Sequence, residues 1–390
     1  MLLRVYFTSS PRVLEKRRIS LTVCLTNEVS EPLPWSCALH IEVLDGDAEA
    51  SLGPLEDQRL TDEGALPNGA WHTRIEGVVP QEYMGREVGA RVHLCVAALP
   101  AVRAEDHCVD AWFGCLPCVS APLELASAEV LASARADDHC FRTFLFRGRR
   151  LRIREEMTCH EMTTGGRLWD AGVALADCLA SCYASSLAGK SFVELGCGCG
   201  LPGITAATML SGRVVLTDHR EVLPLTKINV QANVVGGDGS GRAAVTDLEW
   251  ADQERCPAVL RDFNEGHPFD VVLLADTLYA PTMIEPLCKT VLELSAPGTL
   301  VLAAQKFRGE RCDGPLGTCN HSGTSVQEQG KLAAVAGTGV AKGSDGTLRG
   351  MRGFAVPLCD MLRSWFEIRL VQSDQESPMR VVTLEMLRVR

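Results

Sequence analysis

The sequence lacks any run of about 20 consecutive apolar residues, the length that a membrane-spanning helix needs. Its first residues also lack the charged segment followed by an apolar one that is typical of a secretory signal. The basic residues between positions 12 and 18 are weak evidence for a mitochondrial presequence, because Glu15 lies among them. We therefore expect no membrane association and a cytoplasmic protein, with the nucleus as the alternative location and the mitochondrion as a less favoured one.

Positive charge is scarce in this chain. There are 38 Lys and Arg residues against 49 Asp and Glu residues, which gives a formal net charge of -11. Proteins that bind nucleic acid cluster Lys and Arg against the phosphate backbone, so this balance predicts no nucleic-acid partner. An acidic enzyme is better suited to a cationic partner, such as a lysine-rich protein surface.

The 17 cysteines are an odd number, and no secretory signal accompanies them. Reduced thiols in a reducing compartment fit this pattern best. The one CxxC motif, Cys115 to Cys118, lies near Cys95, His107 and Cys108. Because a second pair with zinc-ligand spacing is missing, we interpret these cysteines as small buried apolar residues and predict no metal site.

The first 120 residues contain strand signals and no long helical period. Apolar and polar residues alternate in four runs, at 19–25, 38–44, 71–79 and 90–97. Clusters of Pro, Gly, Asn and Asp separate these runs, and residues 47–70 are interpreted as a loose loop. The pattern predicts a β-rich N-terminal domain over residues 1–120, built as a small antiparallel β-sandwich.

An Ala- and Ser-rich linker is predicted over residues 121–138, followed by a second domain over residues 139–390. This domain opens with a β-hairpin around Arg147-Gly148, and from Leu168 onward helical and strand patterns alternate. The alternation predicts an α/β fold with a doubly wound, Rossmann-like sheet. Residues 308–352 are rich in Gly, Ser, Thr and Lys and are predicted to be a flexible insertion. The seven predicted strands lie at 191–195, 213–217, 243–248, 269–274, 299–304, 365–370 and 381–387, and the predicted helices lie at 169–184, 202–210, 221–233, 282–294 and 354–362.

The strongest site signal is the Gly-rich segment 194–200, which follows the first strand of this sheet. Its glycines leave room for a ligand to approach the backbone, and the next helix offers free N–H groups. Residues 198–203 also match the dinucleotide pattern GxGxxG, and Asp218 ends the next strand, where a carboxylate can bind ribose hydroxyls. These features fit NAD and S-adenosylmethionine equally well.

Further segments distinguish the two ligands. The Trp-centred segment 165–172 precedes the Gly-rich segment 192–204, and behind them follow the segments 216–225, 227–233, 247–252 and 275–280. In this order and at this spacing they resemble the motifs of the seven-β-strand (class I) S-adenosylmethionine-dependent protein-lysine methyltransferase family, some members of which modify histidine. The resemblance covers about residues 160–307 and is weaker after residue 353.

The resemblance implies S-adenosyl-L-methionine as the cofactor and a lysine-bearing protein as the substrate. Within that family pattern, Glu194 would support the loop and the amine of the methionine moiety, Asp218 would bind the ribose, and Trp250 would pack near the adenine. Asp276 and Tyr279 would be the catalytic residues that face the substrate amine. The full set of implied cofactor-binding residues is Trp169, Glu194, Gly196, Gly198, Gly200, Asp218, Trp250 and Ala275.

The chemistry asks the protein to align the acceptor, exclude water and present a neutral amine. Asp276 would orient the lysine ammonium, Tyr279 would wall the channel, and the proton would leave to water, so we predict no dedicated general base. Each residue also has a purely structural interpretation. The two tryptophans could be core residues, Tyr279 could pack on the sheet edge, and the paired asparagines 229 and 233 could cap a helix or bond a loop.

Three other functions stay open at this point. The acceptor could be a histidine or a small amine instead of lysine. The chain could be a catalytically silent scaffold whose N-terminal domain binds a protein partner, although Glu194, Asp218 and Asp276 are all intact. An NAD-dependent dehydrogenase is the last candidate, and it would need a proton relay that the sequence does not reveal. Three departures from the family pattern leave the substrate undetermined. They are the N-terminal domain, the insertion after Arg308, which interrupts the stretch that usually shapes the substrate side, and Thr277 in place of an apolar residue.

Overall fold

The computed structural model describes residues 3–15, 18–26, 38–45, 51–65, 71–79, 91–99, 115–116, 118–120, 123–124, 141–156, 164–234, 243–252, 254–306, 361–362, 364–373 and 381–390. The predicted insertion 308–352 and nearly all of the predicted linker lie outside these residues, as does most of the predicted helix 354–362. No helix among the described residues is long and apolar enough to cross a membrane.

Two β-sheets form the N-terminal part of the described chain. One has the strand order β5-β6-β2-β1-β8, and the other contains β9, β7, β3 and β4 in that order, with β10 paired to β7. All pairs are antiparallel except β1 with β8, so the predicted β-rich, sandwich-like region is confirmed. The strands are β1 (Leu3–Glu15), β2 (Arg18–Thr26), β3 (Ala38–Leu44), β4 (Ser51–Pro54), β5 (Glu56–Ala65), β6 (Trp71–Val78), β7 (Arg91–Leu99), β8 (Cys115–Leu116), β9 (Cys118–Val119) and β10 (Leu123–Glu124).

The core of the sandwich comes from every second residue of strands in both sheets. Ile19, Leu21 and Val23 of β2 are buried, and so are Ile41 and Val43 of β3. All five belong to one apolar cluster between the sheets. This is the expected result of a two-residue side-chain period, in which one face of each strand meets the core.

The prediction of a loose loop over residues 47–70 is wrong, because β4 and β5 lie within it. Strand β5 pairs with β6 through the register Arg59↔Glu76 and Ala65↔Trp71. It lies at the edge of its sheet, and its side chains at positions 56–59 are exposed. A stretch of edge strand whose side chains are all exposed has no apolar alternation, which is why the sequence pattern did not reveal positions 56–59 as a strand.

A β-hairpin joins the N-terminal sheets to the second half of the chain. It consists of β11 (Phe141–Phe146) and β12 (Arg149–Arg154). Phe141 pairs with Val119 of β9, so the second N-terminal sheet continues into the hairpin. The inward apolar side chains of both hairpin strands belong to the core of the α/β half. The predicted domain boundaries at residues 120 and 139 therefore stay predictions, since one sheet contains strands from both sides of them.

The second half contains the predicted seven-stranded sheet, with the order β15-β14-β13-β16-β17-β19-β18. The first five strands in this order are parallel, and β19 runs antiparallel to both neighbours. The strands are β13 (Ser191–Leu195), β14 (Arg213–Asp218), β15 (Ala243–Asp247), β16 (Val271–Ala275), β17 (Leu300–Lys306), β18 (Phe366–Ser373) and β19 (Val381–Arg388). The described helices are α1 (Asp170–Cys182), α2 (Leu201–Met209), α3 (Leu223–Asn233), α4 (Arg255–Phe263) and α5 (Ile284–Leu294).

Helices cover both faces of this sheet, which confirms the doubly wound architecture. Apolar residues of α1, α2 and α3 pack with Phe192 of β13 in one cluster. Residues of α4 and α5 pack with the next residue, Val193, on the opposite face. Helix α4 was missed by the sequence prediction, because only Cys256 and Val259 of its nine residues are buried and its apolar stripe is too short to recognise.

Candidate active site

The candidate site lies where the strand order reverses. Strand β13 lies between β14 and β16. The helix that follows β14 packs on one face of the sheet, and the helix that follows β16 packs on the other. A crevice forms at the carboxyl ends of strands at such a switch point, and open α/β sheets bind ligands there. In this chain the crevice is a cavity of about 300 Å³, a size typical of small-molecule sites.

Nine of the ten residues selected from the sequence line this single cavity. They come from five separate parts of the chain, namely the segment before α1, the ends of β13, β14 and β16, and the segment after β15. The nine are Trp169, Glu194, Gly196, Gly198, Asp218, Trp250, Ala275, Asp276 and Tyr279. Sequence reasoning did not select several further lining residues, among them Arg167, Leu201, Pro202, His219 and Leu248.

Gly196 and Gly198 both have backbone conformations that favour glycine, with φ of 64° and 52°. A Cβ on Gly196 would stand 3.2 Å from Trp250 Cζ2 and 3.3 Å from Thr277 Cγ2. A Cβ on Gly198 would stand 3.1 Å from the carbonyl oxygen of Gly165. The missing side chains therefore let the loop fit closely against its neighbours beside the cavity.

Gly200 is the one selected residue that does not line the cavity. It precedes α2 with φ of 82°, and a Cβ there would stand 2.8 Å from Leu216 Cδ2 and 3.2 Å from Thr226 Cγ2. These neighbours lie behind the loop, in the packing between sheet and helix. The structure thus assigns Gly200 to the turn into α2, and the expectation that it lines the cofactor is not reproduced by its position.

Glu194 is a buried carboxylate at the floor of the cavity, with 1% of its surface exposed. Its Oε2 accepts a 2.8 Å hydrogen bond from the amide nitrogen of Gly203. Its Oε1 is buried and has no hydrogen-bond partner. Burial raises the pKa of Glu194 to about 8, with a smaller contribution from the charge of Asp218, although the Gly203 hydrogen bond opposes the shift. An ammonium group would satisfy the unpaired oxygen and stabilise the ionised form.

Asp218 ends β14 with both carboxylate oxygens engaged by backbone nitrogens. Gly198 donates to Oδ2 and His219 donates to Oδ1, each at 2.7 Å. Burial raises the pKa of Asp218, and the two hydrogen bonds oppose that shift. These bonds fix the carboxylate against the Gly-rich loop, where its remaining lone pairs can accept hydroxyl groups of a ribose.

The side of the cavity that follows β15 is apolar. Leu248 is buried and Trp250 is half-buried, and both line the cavity. Leu248 is fixed by its amide nitrogen, which donates to the carbonyl oxygen of Asp218 at 3.1 Å. A flat aromatic base can stack or pack against such a wall.

The segment before α1 forms the opposite wall. The indole nitrogen of Trp169 donates to the carbonyl oxygen of Thr164 at 3.0 Å, which closes this short segment on itself. Trp169 is also the residue directly before α1. Its backbone is extended, and the helix begins at the next residue. Next in sequence, Asp170 is fully buried and pairs with Lys306 Nζ at 2.5 Å, so the start of α1 is tied to the end of β17.

Asp276 is the residue immediately after β16, and it has φ of 55° without being glycine. Its amide nitrogen donates to Ala304 at 2.9 Å, and its Oδ1 accepts a 2.6 Å bond from Gln305 Nε2 and a 3.3 Å bond from the Lys306 amide. Gln305 Oε1 in turn accepts the Leu278 amide at 3.2 Å. Sequence reasoning missed Gln305, because a glutamine inside an apolar strand has no motif that marks it.

Tyr279 stands at the rim of the cavity with 51% of its surface exposed. Burial of its remaining part, together with the charge of Asp218, raises the pKa of Tyr279. The phenol therefore stays neutral at ordinary pH. Its exposure argues against the alternative that it is simply packed on the sheet edge.

The paired asparagines of α3 support the site from behind. Asn233 exchanges hydrogen bonds with both backbone groups of Arg152, at 2.7 and 2.6 Å. Asn229 does the same with Arg154, at 2.8 and 3.0 Å, and also donates to Cys199 in the Gly-rich loop at 2.9 Å. The side-chain amides thus serve as a neighbouring strand for the free edge of β12, which bears out their interpretation as loop-bonding groups.

The two loop cysteines are not nucleophiles. Cys197 and Cys199 are buried, and burial raises the pKa of both thiols well above the ordinary value. Thiols of this kind stay protonated and unreactive. Among the described residues, no group of three or more His, Cys, Asp or Glu side chains is arranged to hold a metal ion.

The cavity suits a ligand that has an ammonium group at one end and a ribose and a flat base at the other. Glu194 offers an unpaired buried oxygen, Asp218 a fixed carboxylate, and Trp250 with Leu248 an apolar wall. S-adenosylmethionine has all three groups in that order. A dinucleotide has no ammonium group to satisfy Glu194, so the unpaired Oε1 favours S-adenosylmethionine over NAD.

The chain matches the family model described as lysine methyltransferase over residues 146–314. It is 34% identical over 169 residues to protein N-lysine methyltransferase METTL21A of Mus musculus, an alignment that covers 43% of this chain and 72% of that protein. It is also 34% identical over 168 residues to EEF1A lysine methyltransferase 3 of Mus musculus, covering 43% and 66% of the two chains. The ten N-terminal strands lie before the family match.

Among solved structures, an O-methyltransferase family protein from Burkholderia thailandensis is similar, with a TM-score of 0.37 and 15% identity over 56% of each chain. We draw no conclusion from a likeness of this size. The fold rests on the strand order described above.

Proposed function

We propose that this chain, which belongs to the lysine methyltransferase family, methylates the side-chain nitrogen of a lysine in a protein substrate. The observation that carries the proposal is the convergence on one cavity of a buried, unpaired carboxylate oxygen on Glu194 and a fixed carboxylate on Asp276. The first suits the cofactor and the second suits an incoming amine.

The cofactor is S-adenosyl-L-methionine, and when bound it supplies a methyl group activated by a positively charged sulfur. Glu194 would hold the ammonium group, Asp218 the ribose hydroxyls, and Trp250 with Leu248 the adenine. The segment around Trp169 would close the cavity from the other side. These residues orient the methyl donor and exclude water from it, which is most of what an in-line displacement requires.

Asp276 and Tyr279 would act on the acceptor. Asp276 attracts the lysine ammonium and holds its nitrogen at the rim of the cavity, while Tyr279 forms one side of the entrance. The ammonium loses a proton to water, and the neutral nitrogen then forms the new N–C bond as the S–C bond breaks. The products are the methylated amine and S-adenosylhomocysteine. No side chain has to serve as a general base in this sequence of events.

A second acceptor is the imidazole of histidine, or a small amine. An imidazole is largely neutral near pH 7, so it gains less than lysine from a carboxylate beside the entrance. A small amine has the same charge as lysine, and the methyl-transfer products distinguish the two.

The test uses Asp276→Ala. We expect this variant to lose methyl transfer to protein while its dissociation constant for S-adenosylhomocysteine changes little, because Asp276 contacts the acceptor and not the cofactor. Lys289→Ala, which removes only an exposed ion pair with Glu285, is the matched control. Unchanged turnover in Asp276→Ala would remove the role assigned to this carboxylate.

We further propose that the protein works in the cytoplasm, with the nucleus as the alternative and the mitochondrion as the weakest candidate. The supporting observation is that the free cysteines Cys197, Cys199 and Cys256 are buried, as suits a reducing compartment. Imaging of a tagged full-length chain tests this location.

We also propose that the exposed positions 56–59 of the edge strand β5 bind a protein partner. Affinity capture with the wild type and with a variant whose residues 56–59 are all alanine tests this surface.

A further inference from the structure

The β-rich N-terminal region is physically connected to the cofactor cavity by buried polar contacts. We infer that the pair of Arg142 and Glu155 positions the cavity wall formed by Leu168 and Trp169, and thereby makes the N-terminal sandwich a working part of the cofactor site. The inference rests on the proposed function only for the identity of the ligand. It makes no use of the methyl acceptor.

The contacts form a continuous path. In β1 of the sandwich, the carbonyl oxygen of Val5 accepts a 3.5 Å hydrogen bond from Arg142 Nη2. Arg142 Nε donates to Glu155 Oε2, and Glu155 Oε1 accepts the amide nitrogen of Leu168 at 2.9 Å. Leu168 and the next residue, Trp169, both line the cavity. Each member of the path thus touches the next, from the sandwich core to the ligand wall.

The pair itself is deeply buried, with 1% of Arg142 and 3% of Glu155 exposed. Removing two charges from water is costly, and a pair of apolar side chains of the same volume would serve stability as well or better. What an apolar pair could not supply is a directed acceptor for a buried backbone N–H group. Glu155 supplies it to Leu168, which is the reason to assign the pair a positioning role.

A second contact shows that the same wall is fixed tightly against the Gly-rich loop. The amide nitrogen of Glu156 donates to the carbonyl oxygen of Gly166 at 2.9 Å. The carbonyl oxygen of Gly165 lies 3.1 Å from the position that a Cβ on Gly198 would occupy. A shift of β12 would therefore move the wall relative to the loop that binds the cofactor.

The hairpin explains how the sandwich can control this wall. Its strand β11 continues the second N-terminal sheet through the pair Phe141↔Val119. Its other face is part of the α/β core through Phe144 and Leu151. Because binding equilibria that share one structural element are linked reciprocally, tightening of the wall by the ligand also stabilises the hairpin and the strands beside it.

The experiment uses the full-length chain and S-adenosylhomocysteine as the probe. Glu155→Gln keeps an acceptor for Leu168 but removes the charge. The double substitution Arg142→Met with Glu155→Met removes both charges and the acceptor without leaving one charge unpaired, so it also serves if the single variant does not fold. Tyr183→Phe is the control, since it removes a 2.7 Å bond to Glu385 near the far end of α1. Calorimetry gives the dissociation constant, and hydrogen exchange with mass spectrometry follows peptides covering residues 164–170.

We expect the double variant to bind S-adenosylhomocysteine about tenfold more weakly, the effect of losing one hydrogen bond to a charged group. Exchange in residues 164–170 should accelerate in the free protein, the KM for the cofactor should rise, and kcat at saturating cofactor should stay within about twofold. Glu155→Gln should lie between the double variant and the wild type. A double variant that melts at a lower temperature but keeps the wild-type dissociation constant and exchange, as Tyr183→Phe should, would overturn the inference.

The result is separable from the proposed function. If the wild-type chain binds S-adenosylhomocysteine but transfers no methyl group to protein lysine, the binding and exchange measurements still decide the role of the pair. If lysine methylation is intact and the double variant binds as tightly as the wild type, the positioning role fails and the proposed function stands.

Discussion

The side-chain nitrogen of Gln305 donates a 2.6 Å hydrogen bond to Oδ1 of Asp276, while the side-chain oxygen of the same glutamine accepts the Leu278 amide at 3.2 Å. One side chain therefore fixes both the carboxylate that is proposed to meet the acceptor and the turn that leads to Tyr279. Gln305 is 8% exposed and lies in β17, next to β16. We propose it as a positioning residue, since it would act on the acceptor through Asp276.

The first prediction concerns this residue. Gln305→Met keeps the length of the side chain but loses both hydrogen bonds, so Asp276 can rotate away from the entrance. We expect kcat to fall about tenfold, as for the loss of a hydrogen bond to a charged group, with an unchanged dissociation constant for S-adenosylhomocysteine. Steady-state kinetics beside calorimetry test this, with Lys289→Ala as the control. A loss of cofactor affinity equal to the loss of kcat would show that Gln305 acts on the whole site and not on Asp276.

The second prediction concerns the stability of the protein as a function of pH. Burial raises the pKa of Glu194 to about 8 from an ordinary value of 4.5. Between these two values the folded state binds more protons at this site than the unfolded state, so the contribution of Glu194 to stability falls as pH rises. The Glu194→Gln variant has no ionisable group at this position, so it lacks this loss of stability with rising pH. The melting temperature of the variant should exceed that of the wild type, by a margin that grows from pH 6 to pH 9. A margin that is constant with pH would contradict the assignment.

The third prediction is the opposite effect of the same substitution on the ligand. The ionised Glu194 should attract the ammonium of S-adenosylhomocysteine, which is a free amino acid and keeps its proton to a higher pH than Glu194 does. Affinity of the wild type should therefore rise with pH as Glu194 ionises and fall only at the higher pH where the ligand ammonium loses its proton. Glu194→Gln should bind more weakly and lack the rising limb. Calorimetry across this range measures both curves, and a wild-type curve that falls steadily from pH 6 would be incompatible with an ionised partner for the ammonium.

The fourth prediction separates two glycines of one loop. Gly200→Ala forces a side chain into a left-handed conformation against Leu216, so we expect a loss of about 1–3 kcal/mol of stability with little change in the dissociation constant of the folded protein. Gly196→Ala places its Cβ beside Trp250 and Thr277 in the cavity wall, so it should weaken ligand binding as well. Chemical denaturation and calorimetry on both variants test the difference. Equal losses of affinity in Gly200→Ala and Gly196→Ala would indicate that Gly200 lines the cofactor as Gly196 does.

Much of the α/β half could be predicted, because its sequence repeats a simple physical pattern. The strand of Val271–Ala275 is continuously apolar, as a strand covered on both faces must be, and the glycines of the loop mark a turn that other residues cannot make. Strand β5 could not be predicted, since it lies at the edge of its sheet and its exposed side chains at positions 56–59 leave no apolar alternation. The site was predictable where a motif lies in one segment, as at Glu194 and Asp218.

The remaining site residues could not be predicted, because their roles depend on contacts between distant segments. Gln305 is a polar residue in an apolar strand, and its function becomes apparent only beside Asp276. Arg142 lies in β11 and Glu155 lies 13 residues later, directly after β12, and neither belongs to the motif of the Gly-rich loop. Gly200 is the converse case, since its motif predicts contact with the ligand whereas its neighbours in the structure are Leu216 and Thr226, and its role at the ligand stays a prediction.

The most direct test of the account is transfer of a radiolabelled methyl group from S-adenosylmethionine to proteins of a cell lysate, followed by mass spectrometry of the labelled products. The account predicts label on the side-chain nitrogen of lysine in one or a few proteins, produced by the wild type and by Lys289→Ala but not by Asp276→Ala. Label that is found only in small molecules, or that is equally abundant with Asp276→Ala, would contradict it.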